Sequence, residues 1–170
     1  MACEKGGFTL IEVMTVVILI GILSALAYVS LADLISTNKA KETAQTIRTF
    51  AERALAEGKR QSKTVTIDIP PASKNIRYTV TGAAAITETL GIGYSASSSA
   101  PTCVALGTSP APFVNTVTSE IRIGLSGISG EGFFAACDGR SYCGAAVKTK
   151  ANNSFIACIK RRNSTTWEVL

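Results

Sequence analysis

Of five cysteines Cys3 stands apart near the start, and the other four, Cys103, Cys137, Cys143 and Cys158, are the side chains of this 170-residue chain best suited to covalent or metal chemistry, in a sequence without a single histidine. Imidazole acid/base work and imidazole metal ligation are therefore excluded. A nucleophile would need a lysine or a carboxylate as its base, and no paired-carboxylate motif stands out. Cys137 and Cys143 have five residues between them, wider than the usual spacing of zinc thiolates. The four cysteines read instead as two disulfides; three pairings are open, and the short 137–143 loop is a natural candidate. Residues 127–132, Gly-Ile-Ser-Gly-Glu-Gly, are glycine-rich but lack the Lys-Ser/Thr ending of a phosphate loop, so they read as a turn. No catalytic set, metal or cofactor is expected.

A different kind of chemistry is written near the start. Glu12 stands at the mouth of residues 13–31, an apolar stretch with no other charge. About 19 such residues make a helix of roughly 28 Å, close to the ~30 Å of bilayer hydrocarbon. A carboxylate beside such a span is costly to bury and is usually there to meet a partner charge. Residues 1–7, with Lys5 near their end, are too short for a secretory signal, whose cleavage site follows its apolar middle. Any processing site here must come before the apolar run. A plain signal anchor, with Glu12 incidental, is the simpler alternative, but an anchor needs neither a Gly-Phe start nor a carboxylate at that spacing.

Gly6-Gly7-Phe8-Thr9-Leu10-Ile11-Glu12 followed by the long apolar stretch resembles the N-terminus of type IV pilins and pseudopilins. The resemblance implies cleavage between Gly7 and Phe8 by a prepilin peptidase and methylation of the new Phe8 amine. It also implies packing of the apolar helices into a filament, with Glu12 of one subunit paired to the Phe8 amine of a neighbour. The expected partners are other pilin or pseudopilin subunits, the peptidase and an inner-membrane assembly platform. The expected location is the bacterial inner membrane, single-pass with the head in the periplasm, and then the filament. A domain delivered beyond that membrane is one in which disulfides persist.

The elements that would position these residues follow from periodicity. Leu34, Ile35, Ala40, Ala44, Ile47, Ala51, Ala54 and Leu55 recur at steps of three and four, with Lys39, Lys41, Glu42, Arg48, Glu52, Arg53 and Glu57 on much of the other faces. This predicts an amphipathic continuation of the helix, ending at Gly58. Residues 64–69 alternate and stop at Pro70-Pro71, a half-buried strand; further strands are expected at 76–81, 120–125, 132–137, 145–150, 154–160 and 166–169. Residues 91–112, rich in Gly, Ser and Pro, read as a long surface loop. The expected class is α+β: a leader (1–7), a membrane or filament-core helix (8–31), its amphipathic half (32–58), and a head (59–170) in which one antiparallel sheet packs on the helix. The expected sheet core is Val65, Ile67, Ile69, Ile121, Ile123, Phe134, Val147, Phe155, Ile156 and Ile159.

A helix ending in Ala-Glu-Arg-Ala-Leu-Ala-Glu-Gly-Lys-Arg (residues 51–60), a following Val-Thr-Ile strand and a glycine-rich stretch at 126–132 resemble the GspH/FimT group of minor pilins and pseudopilins. That resemblance implies a filament component of low abundance. Some members bind DNA through a basic C-terminal segment, and the +5 net charge favours anionic partners. Lys148, Lys150, Lys160, Arg161 and Arg162, with Trp167 nearby, are the candidate DNA contacts. The Gly-Arg-x-Arg signature of DNA-binding members is missing, and the bland reading is a solvated edge strand with Trp167 in the core. The Ser-rich loop at 91–112 also admits an adhesin-like tip.

Overall fold

The structure, a computed structural model, describes residues 7–70, 73–91, 93–97, 100–104, 121–123, 132–149 and 154–170, without the side chains at 26–30, 96 and 121–123. The chain divides into two compact units, one through Ser36 and one from Thr37.

Helix α1 runs Leu10–Gln61. Within the second unit its buried positions are Ala40, Thr43, Ala44, Ile47, Phe50, Ala51, Ala54 and Leu55, a stripe at three- and four-residue steps. Leu34 and Ile35, expected on the covered face, are 57% and 47% exposed. The helix does not stop at Gly58. It ends in a Schellman motif one turn later: Lys63 donates to the Gly58 carbonyl (3.1 Å), Ser62 donates to the Lys59 carbonyl (3.2 Å), and Ser62 takes the left-handed conformation (φ 51°). Gly58 serves packing instead, because a Cβ there would lie 2.7 Å from Val65 Cγ2. In the last turn Arg60 clamps Glu57 with two hydrogen bonds (2.6 and 2.9 Å) and Gln61 donates to the same carboxylate. These donors, Arg60 first, hold the Glu57 carboxyl down to about 2.

Among the described residues nine strands follow: β1 Val65–Asp68, β2 Asn75–Val80, β3 Ile86–Thr89, β4 Ser95–Ala96, β5 Ile121–Ile123, β6 Gly132–Cys137, β7 Cys143–Lys148, β8 Ile156–Lys160 and β9 Glu168–Val169. They form two antiparallel sheets, β3-β2-β1-β5 and β4-β6-β7-β8-β9, rather than the single expected sheet. The division follows hydrogen bonding. The early hairpins β1-β2-β3 and the late meander β6-β7-β8-β9 each pair among themselves, and the two sheets exchange one edge each: late β5 pairs β1, while early β4 pairs β6.

The second sheet is covered on both faces, which is why its strands read as continuous apolar runs such as Phe-Phe-Ala-Ala. On one face Phe134, Ala136, Ala146, Ala157 and Ile159 join the helix stripe and Val65, Ile67 and Ile76 in the main core. On the other, Phe133, Ala135, Ala145, Val147, Cys158 and Trp167 form a second cluster, with Cys103 and Val104 packed against it. Of the expected core, Val65, Ile67, Ile69, Phe134, Val147, Phe155 and Ile159 are buried and Ile156 is half-buried; the side chains of Ile121 and Ile123 lie outside the described residues. The architecture is thus α+β, a long N-terminal helix packed on antiparallel sheets.

Candidate assembly segment

In the first unit the described side chains have little to touch. Phe8 is 89% exposed, and every large apolar side chain from Leu10 to Leu23 is more than half exposed. A soluble chain seldom leaves so continuous an apolar surface open, so a surface of this kind marks a place where lipid or another protein belongs. Among the described residues no helix is long and apolar enough to cross a membrane. Residues 26–30, which complete the apolar run in sequence, lie outside the described side chains.

The start of the helix is built from Thr9 and Glu12. Thr9 occupies the N-cap: its hydroxyl oxygen accepts from the Glu12 N–H (3.4 Å), and its carbonyl accepts from the same N–H (3.1 Å) and from that of Val13 (3.3 Å). In return Glu12 Oε2 accepts from the Thr9 backbone N–H and hydroxyl, both at 2.8 Å. This reciprocal pair is a capping box, and it satisfies donors that the first helical turn would otherwise leave open. It also sets a carboxylate at the positive end of the helix dipole, next to Phe8. The sequence reading picked out Glu12 and overlooked Thr9, although Thr-x-x-Glu ahead of an apolar run is the signature of such a cap. Phe8, Glu12, Val13, Thr15, Val16 and Val17 line a shallow groove on this helix.

The four downstream cysteines form two disulfides, Cys103–Cys158 and Cys137–Cys143. No thiolate of the four is left for a metal. Cys137 and Cys143 are directly opposed on β6 and β7, so this bridge closes the Asp138–Tyr142 turn, in which Asp138 Oδ1 accepts from Arg140 and Tyr142 N–H. Cys103–Cys158 instead pins the 100–104 segment onto the second face of the sheet.

Among the described residues, the candidate DNA contacts differ in exposure and in partners. Lys148, at the end of β7, is 4% exposed, so its ammonium is unavailable to a phosphate. Arg161 bonds Glu168 (3.0 Å) across the β8–β9 turn. Trp167 is buried in the second cluster and offers no stacking face. Lys160 is half-buried, Arg162 is exposed, and Lys150 lies outside the described residues. Half of the 91–112 loop also lies outside them; its described part contains β4.

No curated protein and no solved structure matches the chain. Residues 4–28 match the family described as the prokaryotic N-terminal methylation motif, a match that takes in Gly7, Phe8, Thr9 and Glu12 together.

Proposed function

We propose that the chain is a structural, minor subunit of a type IV pilus-like or type II secretion filament. It is stored in the bacterial inner membrane, cleaved between Gly7 and Phe8 by a prepilin peptidase, methylated on the Phe8 amine and drawn into the filament by an inner-membrane assembly platform. Glu12 of one subunit pairs with the Phe8 amine of a neighbour and sets the register of otherwise featureless apolar helices.

The observation that carries this reading is the coincidence of the methylation motif with the exposed apolar residues 10–23 of α1, a stretch whose single charge is Glu12. Thr9 engages Oε2 of that carboxylate, which leaves Oε1 for an incoming amine. In an apolar surround such a pair is costly to break, because the carboxylate left behind has no other cation to meet. The minor role and the GspH/FimT likeness rest on residues 51–60 and the strand after them.

Replacing Glu12 with Ala or Val tests the reading. Both variants should accumulate as stable membrane-held protein and show incorporation into sheared filaments reduced at least tenfold. Normal incorporation of both would remove Glu12 from assembly.

A further inference from the structure

Among the described residues, the end strands β3 and β9 of the two sheets each pair on one side, and they are chemically unlike each other. Strand β3 ends the first sheet, pairs only with β2, and is exposed at all four positions. Ile86 and Glu88 face the same way as the buried Tyr78 and Ile76 opposite them, yet both are exposed, Ile86 by 47%; β3 overhangs the core. The strand reads Ile-Thr-Glu-Thr. It has no Pro, Lys or bulge, so against pairing with another edge it relies on its shortness and on the single inward-facing charge of Glu88, which a basic partner edge would neutralise. Strand β9 ends the second sheet and pairs only with β8. Val169 and Leu170 there are 56% and 41% exposed. Its surroundings are basic: Arg161 is matched by Glu168, which leaves Lys160 and Arg162 in excess.

We propose that the heads dock copy to copy through these edges, β3 of one copy lying against β9 of the next with Glu88 facing Lys160 and Arg162. The occupant is a second copy of this chain because the two edges complement each other in charge and in exposed apolar surface. Two different surfaces meet, so the contact is heterologous: even a pair of copies keeps one free β3 edge and one free β9 edge at its ends. Each surface ion pair is weak by itself. Strand pairing and burial of Ile86 against Val169 and Leu170 supply the attraction, and the charges choose which edges meet. The choice of a second copy as occupant rests on the filament reading.

The test uses the full chain in membranes, co-expressed with two different tags and treated with a carbodiimide, which joins a carboxylate directly to an amine. The expected product is a mixed-tag dimer in which peptide mass spectrometry finds a Glu88–Lys160 amide. Glu88→Gln should reduce that dimer at least tenfold, and the exchange of Glu88→Lys with Lys160→Glu should recover most of it. Absence of the mixed dimer, an undiminished dimer in Glu88→Gln, or a dimer linked only elsewhere would each overturn the proposal. Failure of the filament reading looks different: both Glu12 variants would enter filaments normally, whatever the state of the Glu88–Lys160 link.

Discussion

Thr43 runs against its surroundings. Its side chain faces the main core from α1 and is fully buried, and among the described residues its hydroxyl is the buried side-chain polar atom without a hydrogen-bond partner. Such a hydroxyl has given up water and received nothing in return, a cost of about 1–3 kcal/mol. Thr43→Val keeps the shape and removes the polar atom, so it should stabilise the fold by about 1 kcal/mol. Thr43→Ser keeps the hydroxyl and deletes a buried methyl, and should destabilise by about the same amount. Thermal unfolding of the detergent-solubilised chain reads both; a loss of stability in Thr43→Val would mean that the hydroxyl has a partner in solution. Glu12 and Thr9 illustrate the opposite condition: the Thr9 N–H and hydroxyl and the Glu12 N–H are each answered within the first turn. Glu12 was legible because one charge in an apolar run is conspicuous. Its partner was less so, because a threonine ahead of apolar residues looks ordinary until the three-residue spacing is counted.

At the scale of elements, glycines set how closely strands approach the helix. A Cβ on Gly144 of β7 would lie 2.6 Å from the Ala44 nitrogen and 2.7 Å from the Ala40 carbonyl oxygen, both rigid helix backbone. Gly144→Ala should therefore push β7 off α1 and cost at least about 2 kcal/mol. Gly139→Ala, in the neighbouring turn with nothing within 4 Å, should stay within about 0.5 kcal/mol. Equal urea midpoints for the two variants would contradict this packing. The same closeness explains what sequence could and could not tell. Helix periodicity from Ala40 to Leu55 and the alternation of Val65, Ile67 and Ile69 survived because each records burial on one face. Gly58 was misread as a stop because a glycine that permits contact with Val65 and one that ends a helix look alike in one dimension. Strand β3 was missed because, exposed on both faces, it carries no alternation at all. Charge along the sequence likewise does not reveal that the end of β7 is covered, and Lys148, one of the candidate DNA contacts, is buried there.

For the molecule as a whole, the crossing of β4 and β5 means that the first sheet is completed by a strand, β5, that comes after the chain has already supplied the first strand of the second sheet. Contacts of such long range are entropically expensive to close. The Cys103–Cys158 bridge, 55 residues apart, removes much of that expense from the unfolded chain, by about 4 kcal/mol on the loop-entropy account. Cys137–Cys143, only six apart, should contribute about 2 kcal/mol by the same relation. Replacing Cys103 and Cys158 together with Ala should thus lower the urea midpoint more than replacing Cys137 and Cys143 together. The first pair also frees the 100–104 segment from the face that buries Trp167, so the Trp167 fluorescence should shift towards that of an exposed indole even before global unfolding. The second pair lies at a tight turn that Asp138 already holds with two backbone hydrogen bonds, and its loss should leave that fluorescence unchanged. If the short bridge proved the costlier to lose, native packing at the β6–β7 turn, and not the closing of long loops, would be the larger stabilising effect of the disulfides in this head.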